Sequence, residues 1–328
     1  VEEVYDMLYK FTYNDPDGNG QDDTYGLELT KYTGPLDIIQ TWFGVGNQWV
    51  EQDGQLVPVH QTEEYMEALN WMRKIYEDGL VRQDWATIDS GTFGEACNKG
   101  EAGAYIDVMD GGKRIWNYFT NNNIPSVVDS SKTATMTLSG AVNGKTLATS
   151  GFNGFYLITK DGAKTEEDVK NCLTFLDKMC DDEMLVLADY GLEGVTYDLN
   201  EEGKVVTRTD LEISEAPQVG LNQAVCYIPN LSATTPELEK NEATLAQDAA
   251  YEANESVAVM NPAAGYLANS ETNAEVGTDI QQILDDARTQ YICGQLDEAG
   301  LESAFQQWSD RGGAQVIEEV NEAYAADK

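Results

Sequence analysis

The sequence predicts an α/β protein built as two lobes, and three observations predict it. Its 328 residues exceed the size at which a single core usually stops growing, which favours two cores over one. Helical and strand-like stretches alternate along the chain, as in "TFGEACNKGEAGAYIDVMDGG", where a short helix, a Lys-Gly turn and the strand "AGAYID" lead into a glycine-rich exit. Residues 120–150 shift towards Ser, Thr and Asn, as expected for a connection between lobes.

The elements follow in order. Val1, Val4, Leu8 and Phe11 fall on one helical face, so the chain opens inside a helix; because Val1 is not an initiator methionine, an N-terminal portion with any export signal is expected to precede it. "TYGLEL" reads as a short strand and "GPLDIIQTWFGVGN" as a helix ending at Gly44. "QWVEQDGQLVPV" is a hairpin turning at Asp53-Gly54. Thr62 caps a helix that stops at Gly79, with Glu63 and Glu64 in its first turn. "GFYLITK" is expected as a buried strand, Thr165 and Asp168 as a capping box, and "TYDLNEEGKVVTR" as a hairpin turning at Gly203. The final third predicts helices over 278–292, 297–308 and 314–325, with Trp71 and Trp308 in the core. No internal repeat appears, which excludes a solenoid.

Composition narrows the function. Asp and Glu number 58 against 20 Lys and Arg, a net charge of −38, which repels nucleic-acid phosphates and anionic membranes. The acidity reads as solubility on a salt-exposed surface rather than as a site for a cationic partner. No apolar run approaches the roughly 18 residues that a bilayer span needs. The cysteines, Cys97, Cys172, Cys180, Cys226 and Cys293, form no C-x-x-C pair and are odd in number, which argues against a zinc knuckle or a full disulfide framework. Free thiols fit a cytosolic protein or an exported one from an anaerobe.

The stretch "NDPDGNGQDD" places hard oxygens at alternate positions around two glycines. Asp15, Asp17, Asn19 and Asp23 fill positions 1, 3, 5 and 9 of a calcium loop, the Gln21 carbonyl fills position 7, and Gly20 takes position 6, where the turn is sharpest. Position 12 is Gly26 instead of a bidentate Glu, so the last oxygens must come from Asp22, Thr24, Glu28 or water. The competing reading is an Asx-turn without an ion. In either case the loop joins a helix to a strand and would brace the fold rather than catalyse.

His60 is the only histidine, which excludes chemistry needing two; between a strand and a helix cap it reads as structural. There is no G-x-S-x-G and no phosphate loop, and among 58 acids no particular carboxylate pair is informative. No residue is therefore assigned as catalytic. Aromatic side chains near loops point towards sugar, whose apolar faces stack on rings while carboxylates and amides hold the hydroxyls. Tyr32, Trp42, Tyr105 with Asp107 and Asp110, and Asn153 with Phe155 are the candidates.

Taken in order, "DPDGNGQDDTYGLEL", "YMEALNWMRKIYEDGLVRQD", "FGEACNKGEAGAYID", "GFYLITKDGAKTEEDVKNCLTFLDKMCDDE", "YGLEGVTYDLNEEGKVV" and "CGQLDEAGLESAFQQWSDRGGAQVIEEVNEAY" resemble the extracellular solute-binding proteins of bacterial ABC importers. The resemblance covers nearly the whole chain and is nearest to the lipoprotein-anchored, oligosaccharide-delivering branch similar to maltose- and alginate-binding proteins. Its most specific pieces are "F-x-x-x-x-x-K-G-E-A-G-A", Phe93 to Ala104, and the acidic loop. Some such proteins hold structural calcium in that loop, with ligands matching Asp15, Asp17, Asn19, Gln21 and Asp23; their tenth position can be acidic and here is Thr24.

The resemblance implies a class II periplasmic-binding-protein-like fold, two α/β lobes around a ligand cleft, with the first lobe incomplete. It implies a second lobe over 1–140, a returning part of the first lobe over 141–215, and a mostly helical segment crossing between lobes over 216–328. The strands missing from the first lobe would have to come from elsewhere. The cleft face should include Lys31, Tyr32 and Thr33, and Asp107, Met109 and Asp110, with Asn153 approaching from the other lobe. The implied role is capture of an oligosaccharide for a membrane permease, by a monomer anchored as a lipoprotein outside a Gram-positive cell. The alternatives are a carbohydrate-active enzyme and a calcium-dependent cell-surface interaction module; the latter usually pairs two acidic loops, and this chain has one.

Overall fold

A computed structural model describes residues 1–149, 155–208, 221 and 235–328. They belong to two compact units, one of Val1–Phe152 with Ala243–Lys328 and one of Asn153–Glu242. In the first unit, helix α1 (Glu2–Tyr13) leads through the acidic loop to strand β1 (Tyr25–Leu27) and then to helix α2 (Gly34–Thr41). Strands β2 (Trp49–Gln52) and β3 (Gln55–Pro58) form the hairpin, and Asp53 and Gly54 both take the positive φ that its two-residue turn requires. Helix α3 (Glu63–Glu77) follows, with Thr62 Oγ1 accepting from the Tyr65 amide; it buries Tyr65, Ala68, Leu69, Met72 and Ile75 along one stripe.

Helix α4 (Glu95–Lys99), strand β4 (Ala102–Ala104) and helix α5 (Met109–Asn121) come next. β1 and β4 pair in parallel, Tyr25 opposite Ala102 and Leu27 opposite Ala104, and α1 lies directly on them. That contact depends on two glycines. A Cβ on Gly26 would stand 2.6 Å from the Leu8 carbonyl oxygen, and one on Gly103 would stand 2.1 Å from the Phe11 ring.

Strand β5 (Thr146–Leu147) ends the first run of this unit. The second unit contains helices α6 (Glu166–Lys178) and α7 (Asp182–Asp189) and the hairpin of β6 (Tyr197–Leu199) and β7 (Val205–Thr207). The Thr165–Asp168 capping box is formed. The chain returns through α8 (Glu242–Asn254), β8 (Ala258–Val259) and α9 (Ala264–Leu267), then α10 (Glu271–Ile292), α11 (Glu298–Trp308) and α12 (Ala314–Asp327). β5 and β8 pair in parallel, and the first unit takes in residues up to Phe152 and from Ala243 onward. The main core joins Leu8, Leu27, Leu69, Met72, Trp85 and Leu301, and a second cluster gathers Trp49, Leu56, Leu284, Trp308 and Val320.

Two expectations change. "GFYLITK" forms no strand over its described residues, and Phe155 and Leu157 are 77% and 75% exposed, because no described segment pairs with them. Gly111 and Gly112 do not form a loop; they sit in the first turn of α5, where Gly111 makes room for the Tyr105 ring. His60 is buried, wedged against Trp308 at 4.5 Å and Phe305 at 5.1 Å. Cys97, Cys172 and Cys293 are free thiols, and Cys226 lies outside the described residues.

Burial lowers the His60 pKa to about 4, so the folded state keeps a neutral imidazole where the unfolded chain takes up a proton. The stabilisation is complete above pH 6.5 and is lost as pH falls towards 4, by up to about 3 kcal/mol. Denaturant titrations of wild type and His60→Phe from pH 7 to 4 are expected to show the extra acid sensitivity only in wild type. Parallel curves would remove His60 as its source.

Candidate functional site

Two regions of the first unit carry the sequence-predicted site residues. The first is the acidic loop between α1 and β1. Asp15 turns the chain with φ of 47°, its Oδ2 accepts from the Gly20 amide at 3.0 Å, and its Oδ1 is buried without a protein partner. The Asn19 amide nitrogen donates to Asp17 Oδ2 at 2.8 Å and lies 3.3 Å from both oxygens of Asp23. Among the described residues no three acidic, His or Cys side chains converge as a ready-made metal site. An N–H group sits between the two carboxylates instead, where it relieves their repulsion.

The structure also narrows the search for the last oxygens. Glu28 is buried, and its carboxylate accepts from the backbone amides of Gly94, Ala96 and Cys97 at 2.8–3.3 Å. The Thr24 hydroxyl donates to the Phe11 carbonyl at 2.7 Å. Glu28 is committed elsewhere, whereas the donating Thr24 oxygen keeps its lone pairs, which leaves Asp22, Thr24 and water. Gly26 stands at position 12 for a steric reason: its Cα faces the Leu8 backbone, and no side chain fits there.

The second region lies where β1 and β4 end. Phe93 stacks on Tyr105 with centroids 4.4 Å apart and planes at 28°, and Tyr32 meets Phe93 edge-on at 5.7 Å. Asp107 spans the outer two rings, accepting from the Tyr105 hydroxyl at 3.0 Å and more weakly from the Tyr32 hydroxyl at 3.5 Å. Burial first, and then the charge of Asp107, pushes both phenol pKa values up, so both hydroxyls stay protonated and donate. Beside them Asp110 is held by Arg114, and Lys31 pairs with Asp89 at 2.8 Å. The result is a half-exposed aromatic surface with one carboxylate held by phenols.

No protein-family model matches the chain. It is 32% identical over 338 residues to "Lipoprotein LipO" of Bacillus subtilis (strain 168), covering 100% of this chain and 65% of that protein. It is 27% identical over 339 residues to "Polygalacturonan/rhamnogalacturonan-binding protein YtcQ" of the same organism, covering 99% of this chain and 64% of that one. The chain thus spans slightly less than two thirds of the length of these curated relatives. The solved alginate-binding protein AlgQ2 without calcium ion superposes with a TM-score of 0.66 at 14% identity, over 99% of this chain and 68% of that one. The ABC-transporter substrate-binding protein FusA of S. pneumoniae, an EF-hand mutant in complex with fructo-nystose, also superposes at 0.66, with 15% identity over 100% and 68%. The chain has the fold of the ABC-transporter solute-binding proteins.

Within this solute-binding fold the structure brings together Tyr32, Tyr105 and Asp107, with Asp110 nearby on α5 and Thr33 at the start of α2. It does not bring Trp42 to them. Trp42 is buried in the core with its ring edge-on to Trp71 at 5.8 Å, because it ends the apolar face of α2. Asn153 lies outside the described residues. Sequence reasoning missed Phe93, the middle ring of the stack. Its signal was present, since Phe93 opens the "F-x-x-x-x-x-K-G-E-A-G-A" pattern, but it read as a helix–strand marker.

The steric account of Gly26 yields a test in which loop pattern and packing disagree. Gly26→Glu restores the EF-hand consensus, yet it is expected to destabilise the protein by at least about 2 kcal/mol in denaturant titrations without tightening calcium. A variant as stable as wild type with stronger calcium affinity would refute the packing account.

Proposed function

We propose that this chain is the ligand-capturing part of an ABC importer's solute-binding protein, and that it binds a carbohydrate, an oligosaccharide by preference, without changing it. The observation that carries this reading is the Tyr32–Phe93–Tyr105 ring cluster with Asp107 across its hydroxyls. Rings of this kind take the apolar face of a pyranose or furanose, and a carboxylate accepts from its hydroxyls. The relative named as a polygalacturonan/rhamnogalacturonan-binding protein and the FusA structure holding fructo-nystose support a sugar ligand. Thr33, Asp110 and Asn153 belong to the same proposed binding surface, and Trp42 supports it from the core. Binding rather than catalysis suits a site whose carboxylates are held by phenols and an arginine, with the only histidine buried in the core.

The delivery partner is an ABC permease, the working form is a monomer, and the protein is held outside the membrane as a lipoprotein of a Gram-positive cell, in keeping with the name of the LipO relative. A calcium ion would be held by Asp15, Asp17, Asn19, the Gln21 carbonyl and Asp23, where it would supply positive charge that braces the loop. The buried, unpartnered Asp15 Oδ1 supports that assignment. So do the calcium-related descriptions of AlgQ2 and FusA.

Calorimetric titration of the intact protein with kestose, fructo-nystose, alginate trisaccharide and tetragalacturonate tests the sugar reading. At least one is expected to bind saturably, with Tyr105→Ala or Asp107→Asn weakening it tenfold or more, about 1.4 kcal/mol. Unchanged affinity in both variants would discard the ring cluster as the site. For the metal, calcium is expected to raise the melting temperature and a chelator to reverse the rise. Asp15→Ala should abolish the response; a calcium shift that survives this substitution would place the ion elsewhere.

A further inference from the structure

Apart from the ring cluster, the first unit contains a pocket of about 80 Å³ lined by Asp37, Gln40, Asn47, His60, Tyr65 and Arg288, among others. Three of these side chains carry a buried nitrogen with no protein partner: Gln40 Nε2, His60 Nε2 and Arg288 Nε. The residues are 4%, 5% and 4% exposed. Buried polar groups in native proteins are almost always paired, so three such nitrogens around one pocket point to a ligand that pairs with them.

The chemistry of the lining selects its class. A metal ion is disfavoured because two of the three nitrogens, on Gln40 and Arg288, are donors without a lone pair to give, and the Asp37 and Asp285 carboxylates in the lining are already paired with Arg288. An anion is disfavoured because Arg288 already pairs with Asp37 and with Asp285 at 3.3 Å, two carboxylates against one cation, and the buried His60 is neutral. A sugar needs a far larger pocket, on the order of 300 Å³ or more. What remains is small, neutral and able both to accept and to donate.

We infer that this pocket is a binding site for a cluster of internal water molecules, whose oxygens accept from Gln40 Nε2 and Arg288 Nε and which pair with His60 Nε2. Its volume holds a few waters. The cluster lies beside Asn47, whose amide donates to the carbonyls of Ala148 at 2.8 Å and Val259 at 3.0 Å. β5 and β8 lead the chain out of the first unit and back into it. The cluster thus adjoins the amide that ties both connecting strands together.

A high-resolution crystal structure grown in bromide tests this. Ordered water is expected about 2.7–3.2 Å from at least two of the three nitrogens. In Gln40→Met the water bonded to Nε2 should disappear while the one on Arg288 Nε stays. An anomalous bromide peak in the pocket would make it an anion site and overturn the inference, as would a pocket without density or waters unchanged in Gln40→Met. If Gln40→Met does not fold, the wild-type density alone decides.

Discussion

The contact on which the first unit depends is the seating of α1 on the β1–β4 pair. Two residues without side chains, Gly26 and Gly103, let the Leu8 backbone and the Phe11 ring approach to distances that any Cβ would forbid. Leu8 and Leu27, both fully buried, then join α1 and β1 to the main core. With both ends of the acidic loop pinned in this way, the loop must turn within a fixed span, which Asp15, Gly18 and Gly20 achieve through positive φ. The same seat sets the level at which β4 ends and therefore where Tyr105 and Asp107 emerge.

The electrostatics of the two candidate regions differ in how carboxylates are held. In the loop, Asp17 and Asp23 converge on one amide nitrogen, and Asp15 keeps a buried oxygen with no partner. Around the rings, Asp107 is held by the hydroxyls of two phenols. Glu28, between them in sequence, is spent entirely on three backbone amides at the start of α4. A buried carboxylate so used fixes Gly94 and its neighbour Phe93, so a residue that looked like a possible metal ligand supports the aromatic stack.

Much of the fold was legible because local chemistry and tertiary packing agreed. The Asp53-Gly54 turn, the Thr62 cap, the Thr165–Asp168 box and the helices of the final third are short-range signals, and the structure contains each of them. The site was less legible. Tyr32, Tyr105 and Asp107 could be nominated from their positions at strand ends, but Phe93 could not, since its role rests on contacts with residues 61 positions before it and 12 after it. Trp42 was misleading for the converse reason: an aromatic at a helix end is exposed or buried according to what packs on it, and here Trp71 does.

The sequence by itself determined the α/β class, the acidic character, the single-histidine limit on chemistry and the ligand-like spacing of Asp15, Asp17, Asn19 and Asp23. These follow from composition and from periodicities of a few residues. Only the tertiary structure decided why position 12 of the loop is glycine, which oxygens remain for an ion, which rings meet, and that Gln40, His60 and Arg288 share one pocket. Each of these joins segments tens to hundreds of residues apart, and steric exclusion and hydrogen-bond pairing over such separations are properties of the packed chain that no local pattern encodes.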